Sequence, residues 1–497
     1  MVTANARHGI ALLLMAALAA CGGGGGGGGD AGINPPPPPP PVVRAPQMMA
    51  YSAADGVSVN GMTELYALAD DGTGERMLSA DSAAATAAIK EFKISPNGQW
   101  IAYVTNPSTI SDILYVVPVD GSTPPVRVSR DRSSINDRVK SFQWSPDSAQ
   151  LVYAGSLGDG SVFNQFASEV FLVNRDGTAD VRISGTIGDP ASVEVRNPQW
   201  SPDGRYIVQE VANFSGQQGA ANAFAINIYD TTAGSPNSRR LVTSNTLLKN
   251  VHWSADSARL SYTSDQEMNT VYFGYAIGVD GSGNVRVTDN GEFNSDSRWS
   301  PTGATLAYLD HPSQPFPSDL VVSAATPGAL DTVLVFLSDD GREVYDYEWS
   351  PDGSQIAYTS NEALENTREL YIINADGSGA PTKVSGPQTS TSDVFQFAWS
   401  PDGSSIAYLS DQDTNTFIDL YVSSVNGNSN TWISMGLNGE EVVDFGWSDD
   451  SQRIVFSSGP EGRTSQPNKL YVVQPNGSGR TEISAPMTSG PLYFEYD

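Results

Sequence analysis

Six polar residues recur at one repeated place in this chain, and they are the first that could do chemistry. Lys93, Gln143, Gln199, His252, Arg298 and Glu348 each stand directly before a repeated residue: Ile94, Trp144, Trp200, Trp253, Trp299 and Trp349. The two following repeats have Ala398 and Gly446 there. Lysine, arginine and histidine attract anions, and the carboxamides and the carboxylate add donors and acceptors. If the six converge, they form a candidate binding surface for a small anionic ligand or an acidic peptide tail. The residue one place earlier is mostly apolar, as in Phe92, Phe142, Val251 and Tyr347. This alternation has the period of a β-strand. It predicts an apolar stripe packed between neighbours and a polar stripe facing a water-filled channel. A solvated channel wall is the plainer reading of the same stripe.

The elements that must position these residues are repeats. The phrases FQWSPDS, PQWSPDG, VHWSADS, SRWSPTG, YEWSPDG, FAWSPDG and FGWSDDS, preceded by the variant FKISPNG, recur every 46 to 56 residues. A period of this size marks an array of small supersecondary units. Around Trp399 the unit reads as four strands. FAWS is followed by a Pro-Asp-Gly turn, then IAYLS, DLYVSSV, an Asn-Gly turn and TWIS. Four antiparallel strands in about fifty residues is the size of a propeller blade. At a fixed position on the first strand, the tryptophans are expected to be core wedges rather than stacking platforms for a ligand.

The first module has segments for strands two, three and four (48–53, 64–72 and 76–79), preceded by polyproline, which cannot donate to a ladder. The segment Pro491 to Asp497 falls where a further first strand is due. The expectation is an all-β chain with nine modules, eight blades being the alternative. The C-terminal strand would close the ring by pairing with the N-terminal blade.

Composition agrees: 39% hydrophobic, 17% charged, 48 Gly and 32 Pro suit many short strands and turns. A net charge of −29 argues against nucleic acid or anionic lipid as the main partner. Residues 1–20 read as a signal peptide, with an apolar run from Ile10 to Ala20 too short to span a bilayer. The ending Leu18-Ala19-Ala20-Cys21 resembles the lipobox of bacterial lipoproteins, which implies lipidation at Cys21. Cys21 is the only cysteine, so no intrachain disulfide forms. Residues 21–45 carry eight glycines and seven prolines in two runs, a tether with a flexible and a stiff part. By the same resemblance, Gly22 after the cysteine favours the outer membrane, facing the periplasm.

The recurring WSPDG, the following IAY strand, the LY strand with Asp-Gly and the closing Val-Ser or Ile-Ser resemble the TolB-like propeller repeat, over residues 46–497. That resemblance implies a propeller, but TolB's own α/β domain has no counterpart here, so its partners do not carry over. Similar repeats form the propeller of prolyl oligopeptidase-like enzymes, whose catalytic triad lies in a separate hydrolase domain. No G-x-S-x-G elbow is present, and outside the signal only His252 and His311 could serve a triad. The acids of Asp411 to Asn415 resemble part of a calcium loop but lack its glycine and its closing glutamate. Turn chemistry accounts for them, and no cofactor is expected; a structural calcium ion stays open. The expected function is a lipid-anchored, non-catalytic binding or scaffolding module; the alternative is a periplasmic hydrolase or metal-dependent enzyme that uses polar residues of the propeller channel. Its partner would be an envelope protein, a peptide or a cell-wall component, bound by a monomer. The inserts Ser156 to Ser168, Asn213 to Ala223 and Gln314 to Ser318 are the expected specificity elements.

Overall fold

In the computed structural model, the description begins at residue 48 and ends at 496. Outside it lie 1–47, 55–63, 70–71, 80–87, 109–110, 131–137, 157–167, 185–192, 214–222, 233–238, 245–246, 269–270, 289–296, 311–317, 327, 338–341, 364–366, 388–391, 414–416, 438, 461–468, 485–488 and 497. The signal segment, Cys21, the tether, His311 and nearly all of the three inserts therefore fall outside the described residues.

The described elements are all strands, and the repeated phrase explains how each group begins. In the group of Trp399 the strands are Val394–Trp399, Ser405–Ser410, Asp419–Ser424 and Asn430–Trp432. The buried Ser400 starts the first turn. Its Oγ donates to Asp402 Oδ1 at 2.6 Å and accepts the Ser405 N–H at 3.0 Å. Asp402 Oδ1 also accepts the Ser404 N–H at 3.0 Å. Gly403, at φ 69°, takes the left-handed position that the tight return requires. The same Ser-to-acid bond recurs at Ser145–Asp147, Ser201–Asp203, Ser254–Asp256, Ser350–Asp352 and Ser448–Asp450. The repeated acids are thus turn residues.

Second and third strands are joined by stacked aromatic pairs. Tyr103–Tyr115, Tyr153–Phe171, Tyr262–Tyr275, Tyr358–Tyr371, Tyr408–Tyr421 and Phe456–Tyr471 face one another directly across the ladder, with ring centroids 5.1 to 5.6 Å apart. Such cross-strand pairs are the stabilising unit of a sheet. The fourth strand is tied in by its closing hydroxyl. Ser129, Ser385 and Ser434 accept the N–H of Leu114, Leu370 and Leu420, which explains the Val-Ser and Ile-Ser endings.

Among the described residues the strands form seven four-stranded sheets and one of eight. The larger one consists of two four-strand groups joined by a single parallel pairing, Ser168 with Glu194. These sheets are consistent with propeller blades. Each core cluster lies between one group and the next: Trp144 packs with Ala102, Val104 and Leu114 of the preceding group, and Trp349 with Ala307, Leu320 and Val322. Trp144, Trp200, Trp349 and Trp399 are buried in these cores, and Trp253, Trp299 and Trp447 pack against them half-buried.

The first sheet contains both ends of the described chain. Ser489–Tyr496 pairs antiparallel with Met48–Ala54, with Tyr496 opposite Met49, Glu495 opposite Ala50 and Phe494 opposite Tyr51. In the other groups Trp349 faces Ile356 and Glu348 faces Ala357. Tyr496 therefore occupies the tryptophan register and Glu495 the polar one. The C-terminal strand also lies beside the first strands Ala88–Ile94 and Glu440–Trp447. Met49, Tyr51 and Leu68 share a core cluster with Val455, Leu470 and Ile483 of the last group.

First strands carry a bulge that alternation alone does not predict. The register jumps at Lys90, Lys140, Tyr345, Phe395 and Val443, each four residues before the Trp position. In Val193–Trp200 and Leu248–Trp253 the jump comes one residue later, where Asn197 and Asn250 sit at φ 49° and 55°. A bulge bends the strand and re-aims a side chain.

The two ends of the sheets differ. Connections from first to second strands are short turns with internal hydrogen bonds, and most from third to fourth are too. The connections at the opposite end include 157–167, 214–222, 311–317 and 461–468, from second to third strands. They also include 80–87, 131–137, 185–192 and 289–296, from one group to the next.

Candidate functional site at the inner seams

The innermost strands meet along seams, and the polar stripe lies in those seams. Within a first strand, Trp and the residue two before it share one face, and the stripe residue takes the other. Trp turns to the preceding group, so the stripe turns to the following one. Both faces of a sheet meet neighbouring sheets, and the first strand leaves one edge of its own sheet open. The apolar stripe packs between groups, and several polar stripe side chains also bond to the next group, a contact that alternation alone does not predict.

The contacts form a repeating exchange. Lys93 Nζ donates to the Phe142 carbonyl at 2.9 Å and stands 5.0 Å from the centre of the Phe142 ring. Gln143 Oε1 accepts the Trp200 backbone N–H at 2.8 Å. Gln199 Nε2 donates to the Val251 carbonyl at 2.8 Å. Arg298 donates to the Tyr347 carbonyl, lies over the Tyr347 ring and pairs with Asp346 at 2.9 Å. Each of these four side chains thus satisfies a backbone group on the next first strand, a group that an open sheet edge would leave bare. In return the indole N–H groups of Trp144, Trp349 and Trp399 donate to the carbonyls of Lys93, Arg298 and Glu348, at 3.0 to 3.3 Å. Trp253 and Trp447 bond likewise to Gln199 and Ala398, both at 3.3 Å.

His252 is half-buried and faces the buried Ser261 across the ladder. Beyond Glu348 the stripe is Ala398 and Gly446, and Gln396 instead reaches Asp444 at 3.2 Å. Register adds Glu495 as a further stripe position, which sequence reading missed because the closing strand carries no WSPDG. The signal was the Phe-Glu-Tyr ending, which parallels Tyr347-Glu348-Trp349.

Glu348 is the stripe residue most altered by its surroundings. Burial of its carboxyl among the first strands pushes its pKa up to about 7, and Asp346 adds to the rise, against the opposing pull of Arg298 and the Trp399 N–H. It can gain or lose a proton near neutrality. The turn acids move the other way. Hydrogen bonds from Ser354 and Ser350 hold Asp352 below the ordinary carboxylate range.

Among the described residues no group of three His, Cys, Asp or Glu is placed to hold a metal ion. Of the calcium-like fragment, Asp411 accepts the Asp393 N–H at 2.7 Å and Asp413 accepts the Tyr421 hydroxyl at 2.9 Å. Thr414 and Asn415 lie outside the description. No helix among the described residues is long and apolar enough to cross a membrane.

No protein-family model matches the chain, and no curated protein does. Solved structures do. A eukaryotic initiation factor is similar over 90% of this chain and 98% of its own, at 12% identity and a TM-score of 0.54. Dipeptidyl peptidase 4 of Porphyromonas gingivalis is similar over 79% of this chain, at 14% identity and a TM-score of 0.52. The fold is of the β-propeller kind. This propeller covers 59% of that peptidase's length. A putative TolB from Agrobacterium tumefaciens is also similar, over 52% of the propeller chain and 94% of its own, at 18% identity and a TM-score of 0.32. At these identities the likeness concerns the fold, and function has to be argued from the propeller's own residues.

Proposed function

We propose that this chain is a lipid-anchored cell-envelope propeller of nine blades that binds or scaffolds a protein, peptide or cell-wall partner and does no catalysis itself. The observation that carries the reading is the unlikeness of its two ends. One end is made of tight turns whose acids and hydroxyls are engaged with each other. At the other, the end at which first strands begin, second strands end and third strands start, so the connections that are longest in sequence, the three inserts among them, belong to that end by strand order. A rigid scaffold with variable loops at one end is the usual construction of a binding surface.

Ring closure is supported by the C-terminal strand, which completes the first sheet and lies beside both the second and the last groups. Closure removes two sheet edges that would otherwise invite association. Anchoring is proposed through lipid on Cys21, with residues 22–45 as tether and the outer membrane as site. The six stripe residues are proposed as the wall beneath the binding end; their seam contacts give them a structural task as well.

The experiment is affinity capture from envelope extract with the detergent-solubilised full chain. Recovery of one stoichiometric partner supports binding, and its absence counts against it. A hydrolase is the second reading, favoured by a carboxyl at Glu348 that titrates near neutrality. Turnover in a substrate screen that Glu348→Gln or His252→Ala abolishes would replace the first reading with the second.

A further inference from the structure

In seven of the first strands the residue four places before the Trp position stands at the mouth of the loop-bearing end, in the bulge itself in five of them and just before it in two, and these residues divide by chemistry. A first strand has a blade on either side and its own second strand behind it. A side chain on it therefore reaches water only along the axis or at the strand's end. Four residues before the Trp position, four consecutive blades have Lys90, Lys140, Arg196 and Lys249. The seventh, eighth and ninth have Tyr345, Phe395 and Val443. Phe395 and Val443 are 49% and 50% exposed, unusual for apolar residues on an innermost strand.

The cations are held from behind by acids. Lys90 pairs with Asp112 at 2.6 Å, and Arg196 with Glu210 at 3.3 Å. Lys140 and Arg196 both approach Glu194, at 3.6 and 3.8 Å. The buried Asp265 attracts Lys249. The acids form the inner layer: the side chains of Asp112 and Glu210 are 8% and 5% exposed, against 44% for Lys90 and 32% for Arg196. The cations therefore present the outward charge. One residue later the apolar arc has Asp346 and Asp444, whereas the cationic arc has Glu91, paired with Lys93, and then the uncharged Ser141, Asn197 and Asn250, so an acidic group is opposed more on the apolar arc than on the cationic one.

We propose that this mouth binds an extended acidic-aromatic peptide segment of a partner protein, its carboxylates on the arc of Lys90, Lys140, Arg196 and Lys249 and its apolar side chains on Tyr345, Phe395 and Val443. Charge complementarity selects this occupant. A chain of net charge −29 repels acids over most of its surface, and cations gathered from four neighbouring blades focus them at one place. Spread over four blades, the charge suits several carboxylates along a segment better than a single small anion. This inference rests on the binding function proposed above and names the class of its ligand.

The test is fluorescence anisotropy of the detergent-solubilised full chain with a labelled peptide alternating Asp or Glu with Phe or Leu. A matched peptide with Lys for each acid, and anionic vesicles as competitor, complete it. The acidic peptide is expected to bind, to weaken as salt is raised, and to lose at least tenfold in affinity in both Lys140→Gln with Lys249→Gln and, separately, Phe395→Ser. The exposed Phe395 makes the second variant safe for folding. Equal binding of the basic peptide, unchanged affinity in both variants, or displacement by the vesicles overturns the proposal. If the wild-type chain captures an envelope partner and the acidic peptide does not bind, this inference fails and the binding function stands. If neither binds, both fail.

Discussion

Trp144 donates its indole N–H to the Lys93 carbonyl at 3.0 Å, and Lys93 donates its ammonium to the carbonyl of Phe142, two residues before that tryptophan, at 2.9 Å. Two neighbouring blades are thus stitched in both directions through Lys93, which accepts from Trp144 and donates to Phe142. The exchange explains why a large aromatic and a polar residue travel together through the repeat. The aromatic fills the space between sheets, and its partner satisfies the inner edge of the next one.

Replacing the indole tests the stitch. In Trp144→Phe the Lys93 carbonyl loses a donor, a cost of about 1–2 kcal/mol beyond the lost volume. In Trp200→Phe the lost N–H is buried and has no acceptor, so that extra cost is absent. Urea unfolding should therefore show Trp144→Phe as the more destabilised of the two. Equal losses would mean that the indole bond contributes nothing.

Ser148, Ser257 and Ser451 stand where other turns have glycine, at φ 59° to 61°. Each hydroxyl accepts a backbone N–H from the preceding blade's turn: Asn97 at 3.1 Å, Asp203 at 3.0 Å and Asp402 at 3.0 Å. The bond offsets the left-handed strain of about 1 kcal/mol. Ser148→Ala keeps the strain and loses the bond, so it should cost about 1–2 kcal/mol. Ser148→Gly loses both and should stay within about 1 kcal/mol of the parent. Thermal or urea midpoints of the two variants decide this.

Much of this architecture was legible in the chain, and the remainder has a physical reason. The turns, the four strands of a module and the closing strand followed from Pro-Asp-Gly, Asn-Gly and alternation. The bulge did not, because it breaks the period of two on which alternation rests. Its trace is the spacing of Val344, Tyr347 and Trp349: three, then two. The direction of Lys93 or Gln199 is not legible either, since alternation says that two faces differ without saying what each face meets.

Titration should act in two opposite ways. Asp352 has a lowered folded pKa, so its stabilisation is present above the unfolded carboxylate pKa and is lost as pH falls through the folded one. Stability should fall in acid, and Asp352→Asn should flatten that loss. Glu348 has a raised pKa of about 7, so the folded state binds its proton more tightly than the unfolded chain does. Its contribution falls as pH rises from the ordinary carboxylate value of 4.5 to about 7. Glu348→Gln should stabilise the protein more at pH ~8 than at pH ~5. Unfolding curves at the two pH values read the sign directly.

Removing 489–497 tests closure. The deletion bares the inner edge of Met48–Ala54, which pairs with Ser489–Tyr496 in the intact chain. The truncated chain should unfold at lower urea and self-associate in size-exclusion chromatography. A monomer of unchanged stability would place the C-terminal strand outside the cooperative unit.

The most direct test of the central claim compares the two ends of the ring in one capture experiment from envelope extract. In one variant, residues 157–167 are replaced by a short Gly-Ser link at the loop-bearing end. In the other, Asp176→Ala and Asp376→Ala alter exposed turns at the opposite end. A partner lost from the first variant and kept by the second is the predicted result. A partner kept by the first and lost from the second would contradict the account.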